Sequence, residues 1–309
     1  MSEKNKYKIS VGIPTYEASS SLVGALHSIY SQTAWDQICE VIVVVDGKNK
    51  VSEDILRKIA NPKLKIFYYS KQEGQSTRIN NIIEAANGDL LVLTNDDIIL
   101  KVDAVEKMLQ SWQKNGAGLL AGHVIPLPAQ SYVEEILEIQ NKITYKIVEM
   151  LGGGNNYLAC NGRLIALSLN FAKKLKLPSK LKNNDAYIYV SSKIQNIKFV
   201  YVPEAVCYFR NPSHLKEYLK QSIKFQNSLS DNKRFFNHDV SGYYQISKYV
   251  LAKSFLMVFI KNPTKALIYL VIKLYARLLS AFRKTTVVNQ SGVWETDKST
   301  KSINSDKIN

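Results

Sequence analysis

Acids and amides cluster at three points of this sequence, each where a short apolar run stops. Pro14-Thr15-Tyr16-Glu17 follows I-S-V-G-I, Asp46-Gly47 follows V-I-V-V-V, and Asn95-Asp96-Asp97 follows L-L-V-L-T. Carboxylates gathered in one crevice repel, so such a set implies a bound cation or a dedicated donor. Oxygen ligands of this kind suit Mg²⁺ or Mn²⁺, which usually bridge to substrate phosphates. Taken singly, each motif reads as a strand-to-loop acid or a helix cap. Taken together and in this order, the three favour one shared site.

That reading requires a sheet whose strands end on the same edge. The first 125 residues supply one, because β-branched runs alternate with amphipathic stretches. Strands are predicted at Lys8–Pro14, Glu40–Asp46, Leu64–Tyr69, Leu90–Thr94 and Ala117–His123. Helices are predicted at Ser20–Gln32, Ser52–Ala60, Ser76–Asn87 with Gly88 as its stop, and Val102–Asn115 with Gly116 behind it. Open α/β sheets of this type bind ligands at the carboxyl ends of their strands. Further on, helical spacing covers Ser131–Met150, and Gly152-Gly153-Gly154 breaks it as a hinge or acceptor-site loop. An apolar Tyr157–Leu167 stretch follows, then a helix near Asp185–Gln195, strands at Lys198–Val202 and Ala205–Phe209, and a helix over Ser213–Ser230.

Composition narrows the class of protein. The 309 residues are 46% hydrophobic and 22% charged, with 41 Lys+Arg against 26 Asp+Glu and a formal charge of +15. Apolar content this high offsets the entropy of ordering and excludes intrinsic disorder of the whole chain. Cys39, Cys160 and Cys207 are too few and too far apart for a disulfide scaffold and fit a reducing compartment. Met1–Lys8 is polar, so no secretory leader is expected there.

The motifs I-S-V-G-I-P-T-Y-E, V-I-V-V-V-D-G, G-Q-S-T-R-I-N-N-I-I-E-A-A-N-G-D and L-V-L-T-N-D-D resemble the family 2 glycosyltransferases of GT-A fold. The resemblance runs over roughly residues 8–230. It implies a Rossmann-like mixed sheet flanked by helices and an inverting transfer from a nucleotide-diphospho-sugar, expected to be UDP-linked. It also implies roles for particular residues. Pro14, Tyr16 and Glu17 would line the pocket for base and ribose, Asp46 would accept from the base, and Arg78 would lie near the nucleotide. Asn95-Asp96-Asp97 stands at the family's D-x-D, so Asp97 would be the chief ligand of Mn²⁺ or Mg²⁺, with Asn95 a departure from the pattern. Asn183-Asn184-Asp185 stands at the family's acidic pair and makes Asp185 the candidate general base; the simpler reading is that Asp185 only caps its helix. Gln221-Ser222-Ile223-Lys224-Phe225 resembles the Q-x-x-R-W of polymer-forming members, with Gln221 and Lys224 toward the acceptor or diphosphate. His214 could supply a third metal ligand, against the plainer reading of a surface histidine.

The last part of the chain differs in kind. Between Asp239 and Glu295 there is no acid, yet eight Lys or Arg occur. Pro263 is expected to divide this segment into two helices. At about 100° per residue, Lys265, Lys273, Arg277, Arg283 and Lys284 fall within a sector of roughly 120°. A basic face opposite a broad apolar one describes a helix lying in a membrane interface, while core packing with a solvated basic face is the alternative. The expected layout is a transferase domain over 1–235 (donor half about 1–125, acceptor half about 126–235), basic amphipathic membrane-associating helices over 240–285, and a polar tail over 286–309. The partners expected are a nucleotide-sugar, a glycan or lipid-linked acceptor and an anionic membrane surface, with the protein peripheral on the cytoplasmic face. Nucleic acid is disfavoured, because the basic segment is too apolar to read a groove. The competing reading is a catalytically weakened nucleotide-sugar-binding scaffold of a glycan assembly complex, motivated by Asn95 and Asn184.

Overall fold

The computed structural model describes residues 7–16, 20–48, 50–179, 181, 183–237, 239–284 and 298–301. Its centre is one eight-stranded mixed sheet. In chain order the strands are β1 (Ile9–Thr15), β2 (Ile38–Asp46), β3 (Leu64–Tyr69), β4 (Leu90–Thr94), β5 (Ile98–Leu100), β6 (Leu119–Pro126), β7 (Leu164–Ser168) and β8 (Phe199–Phe209). In space they run β3-β2-β1-β4-β7-β6-β8-β5. β3, β2, β1 and β4 are parallel, so β1, β2 and β4 end on one edge. β7 runs antiparallel to both β4 and β6.

Helices cover both faces: α1 (Ser20–Tyr30), α2 (Glu53–Ile59), α3 (Gln75–Ala85), α4 (Ala104–Asn115), α5 (Tyr132–Met150), α6 (Leu169–Lys174), α7 (Asn184–Ile194) and α8 (Leu215–Lys233). The run Val41–Val45 is fully buried because its two faces enter two different cores, as an interior parallel strand demands. α9 (Lys248–Phe259) and α10 (Pro263–Lys284) pack against α5 in a third core built on Ile136, Ile139, Ile143 and Ile147. Among the described residues no helix is long and apolar enough to cross a membrane.

Several expectations need correction. Gly88 is not the stop of α3: the helix ends at Ala85 and its cap, Ala86, has an ordinary φ of −70°. Glycine is required at 88 for a different reason, since a Cβ there would sit 2.5 Å from the backbone nitrogen of Ser10. The two strands expected around 198–209 are one, β8, whose register against β6 slips between Gly122 and His123. Pro203, Glu204 and Ala205 take up that slip, and Pro203 has no N–H to lose from the ladder. β5 and α6 were not anticipated; at three and six residues they are too short to establish a period.

The charged face of α10 is also placed differently. Lys265 pairs with Glu135 of α5 at 2.8 Å, and Lys273 and Arg277 line a cavity open to solvent. The outward stripe is apolar instead: Leu267, Val271, Leu274 and Leu278 are each half or more exposed. The side chains of Arg283 and Lys284, and Trp294, lie outside the described residues.

Candidate active site

The first turn of α3 is the hub of the site. Asp46, at the end of β2, accepts from the backbone N–H of Glu73 at 3.0 Å and of Gly74 at 2.9 Å, immediately before that turn. Gln75 donates to Asn95 at 3.4 Å and accepts from Asn184 at 3.2 Å. Ser76 donates to the Asn184 side-chain oxygen at 2.7 Å. Thr15, at the end of β1, donates to Asp96 at 2.5 Å. Motifs from β1, β2, β4 and α7 are thus tied together across up to 109 residues of chain.

Asp46 and Arg78, expected beside the nucleotide, bond to each other in this structure. Arg78 Nε donates to Asp46 at 2.7 Å, and both side chains are buried. The remaining guanidinium N–H groups reach Asn81, the Lys71 carbonyl and Glu73. The ring of Tyr69 lies 4.2 Å from the guanidinium. With its donors directed inward, Arg78 fixes the 71–74 loop and the start of α3. Neither side chain faces an open surface for nucleotide.

Around them, Pro14 is buried in β1, and the Tyr16 ring lies over Gly47, where a Cβ would meet it at 3.4 Å. Glu17 lies outside the described residues. Asp97 is half-buried, whereas Asp96 is almost completely enclosed. Burial pushes the Asp96 carboxyl upward, and the neighbouring Asp97 adds to that, against the opposing pull of Lys301 and Thr15. Lys301 Nζ stands 2.6 Å from Asp96, and Thr300 donates to Asp97 at 3.4 Å. An ammonium group therefore already balances this acid pair. The chemistry of the pair fits a hard divalent cation, which needs only one or two carboxylates when phosphates and water complete its shell.

His214 does not complete a metal cage. It is exposed at the start of α8, where its carbonyl accepts from the N–H groups of Glu217 and Tyr218. Among the described residues no three His, Cys, Asp or Glu side chains gather as metal ligands.

Asp185 opens α7, but the helix is capped by Asn183, whose side chain accepts from Ala186 N–H. Capping is therefore not what Asp185 does. Its carboxylate lies against Gly162, where a Cβ would come within 2.4 Å of Oδ1, so only glycine leaves it room. It opens into a cavity of about 500 Å³ that Gln221, Tyr218, Lys273 and Arg277 also line. Burial and the nearby Asp185 raise the Cys160 thiol well above its usual range, which leaves it protonated and unreactive. The side chain of Lys224 lies outside the described residues.

Sequence reasoning missed Thr15, Gln75 and Lys301 as parts of this site. Gln75 and Thr15 sat inside the quoted motifs, but nothing in their type marked them as connectors. Lys301 gave no signal, standing 205 residues from its partner in a polar stretch.

Comparison with known proteins agrees with this geometry. The sequence profile of Glycosyl transferase family 2 matches residues 10–160. Glycosyltransferase GlyG of Streptococcus pneumoniae serotype 4 is 26% identical over 117 residues, 37% of this chain and 38% of that protein. The chain thus matches well under half of that relative's length. Among solved structures, the mannosyltransferase PcManGT of Pyrobaculum calidifontis, determined with GDP-Man and Mn²⁺, superposes with a TM-score of 0.62 at 16% identity, covering 92% of this chain and 81% of that one. Glucosyl-3-phosphoglycerate synthase of Mycobacterium tuberculosis, with Mn²⁺, UDP and phosphoglyceric acid, gives 0.51 at 15% identity over 74% and 79%. With the family profile running through β1, β2 and β4, residues 10–160 are a match to glycosyl transferase family 2, and the chain has the GT-A fold of the glycosyltransferases it superposes on.

Proposed function

We propose that this protein is an inverting glycosyltransferase that takes its sugar from a nucleotide diphosphate, UDP in the first instance, and passes it to a membrane-associated or lipid-linked glycan. One observation carries the reading: Asp46, Asn95 and Asn184 are bonded to the same turn of α3 or to the residue just before it, and Asp96–Asp97 and Asp185 directly follow Asn95 and Asn184 in the chain. Pro14, Tyr16 and Gly47 form the wall for base and ribose. Asp46 and Arg78 set that wall's position through the 71–74 loop.

On the acceptor side, Asp185 takes the proton from the acceptor hydroxyl as its oxygen attacks the anomeric carbon. The bond from that carbon to the β-phosphate oxygen breaks, and the nucleoside diphosphate leaves with the electron pair. Asp97, with Asp96 and Asn95 beside it, would hold Mn²⁺ or Mg²⁺, which supplies positive charge to the leaving diphosphate. Gln221 lines the acceptor cavity with Asp185 and orients what enters it.

Peripheral membrane attachment is supported by the apolar outward stripe of α10, continued on α9 by Leu256, Met257 and Ile260. Large apolar patches on a protein surface mark membrane or protein contacts. In this reading the protein is peripheral on the cytoplasmic side of a membrane, in keeping with its three free cysteines.

Purified protein should hydrolyse a UDP-sugar slowly with Mn²⁺ and bind UDP more tightly when Mn²⁺ is present. Asp97→Ala should abolish that metal dependence; an unchanged metal-dependent UDP affinity would overturn the assignment. The scaffold reading keeps one observation in its favour, Lys301 seated on Asp96. It requires nucleotide binding with no turnover on any acceptor.

A further inference from the structure

The cavity that Asp185 opens into has an unusual charge. Arg163, Lys273 and Arg277 line it, and among its described lining residues Asp185 is the one carboxylate. Lys273 and Arg277 stand one turn apart on α10, and burial first, with Arg277 adding to it, disfavours the charged form of Lys273. Among the described residues, neither has an ion pair. Two cations held together without an acid between them are unfavourable unless an anion joins them.

Two further donors in the same cavity also lack acceptors. The Asn211 side chain is over nine-tenths buried; its oxygen accepts from Asn141 at 3.1 Å, while its Nδ2 has no partner. Arg163 Nε is buried and equally without an acceptor, its guanidinium 4.1 Å from the Phe209 ring. Buried donors without partners are rare in folded proteins and call for a ligand or water.

From these groups we infer that the cavity binds a phosphate carried by the acceptor, with Lys273 and Arg277 as counter-cations and Asn211 and Arg163 as N–H donors. The inference rests on Asp185 being the acceptor-side base, and names the acceptor as an anionic one. α10 also indicates what bears the phosphate. Its inner face, through Ala266, Tyr269 and Lys273, turns to the core and cavity, and its outer stripe Leu267, Val271, Leu274 and Leu278 is bare. A lipid phosphate satisfies both faces: its head group enters the cavity while its chain stays with the apolar stripe and the membrane beneath it.

The test is calorimetric titration of the full chain, without nucleotide or metal, with farnesyl phosphate, farnesol and glucose 1-phosphate. Farnesyl phosphate should bind at least ten-fold more tightly than farnesol. The double variant Lys273→Gln/Arg277→Gln should lose ten-fold or more of that affinity, and Lys265→Gln, whose charge pairs with Glu135 outside the cavity, should lose none. Arg277→Gln alone guards against misfolding of the double variant, because Arg277 is exposed and its change should weaken binding without lowering the melting temperature. Equal affinity of wild type and both cavity variants for farnesyl phosphate overturns the site. Glucose 1-phosphate binding as tightly as farnesyl phosphate, and weakened in the same variants, upholds the anion site but overturns the lipid as its source. Failure of UDP to bind in the separate donor assay would strike the transferase reading and leave this titration standing.

Discussion

At the scale of single residues, type and position told where the acids gather but not what each one does. Asp46 illustrates the difference. An acid at the end of a buried parallel strand was readable as part of a candidate site, and the strand end lies beside the start of α3. Its partner was not readable, because Arg78 lies 32 residues on and guanidinium groups serve phosphates and carboxylates alike. The structure closes Arg78 on Asp46, so this pair is a fixed internal strut. Breaking a buried pair by removing one member costs about 3–5 kcal/mol, because a charge is left uncompensated. Asp46→Ala should therefore lower stability by that order in urea unfolding without any nucleotide present. A variant that unfolds like wild type yet has lost UDP affinity would return Asp46 to direct contact with the base.

At the scale of elements, the sheet was legible and the outer helices were half legible. Leu64–Tyr69 and Leu90–Thr94 were read to the residue, since short apolar runs between turn residues have one interpretation in an α/β chain. α10 was recognised as a helix with a basic sector and an apolar remainder. Which side faced inward could not be read, because a helical wheel fixes the angle between two faces and says nothing of what lies against either. The choice was made by α5: its row of isoleucines and Glu135 takes Ala266, Tyr269 and Lys265. Removing α9 and α10 would uncover that row and confuse loss of membrane contact with loss of fold. Substituting exposed residues avoids this, since surface changes usually stay within about 0.5 kcal/mol. Replacing Leu267, Val271, Leu274 and Leu278 by Ser should abolish sedimentation with phosphatidylglycerol vesicles and leave the melting temperature within a few degrees. Sedimentation equal to wild type would show that the stripe contacts something other than lipid.

At the scale of the whole molecule, the end of the described chain returns to the site that its beginning built. Residues 298–301 form a single 3-10 turn beside α8, where Ser299 bonds to Glu217 and accepts from Ser213 N–H. The turn presents Thr300 and Lys301 to Asp97 and Asp96. This contact was illegible in sequence, because polar residues so near the C-terminus have no period and their partners lie 203 and 205 positions away. Its consequence is electrostatic. The Lys301 ammonium is nearly buried against Asp96, so it supplies the positive charge that a divalent cation would bring, and the two compete for the same oxygens. In Lys301→Ala the enclosed Asp96 carboxylate would be left facing Asp97 with Thr15 as its remaining donor, and stability should fall by about 3–5 kcal/mol. Mn²⁺ binding to the folded form should restore it by mass action, at roughly 2.7 kcal/mol when the free ion is a hundred-fold above its dissociation constant. In EDTA the variant should therefore melt below wild type, and on adding Mn²⁺ its melting temperature should rise further than wild type's, with a tighter Mn²⁺ dissociation constant by direct titration. If Mn²⁺ moves both proteins equally, Lys301 and the metal occupy separate places and the competition is refuted.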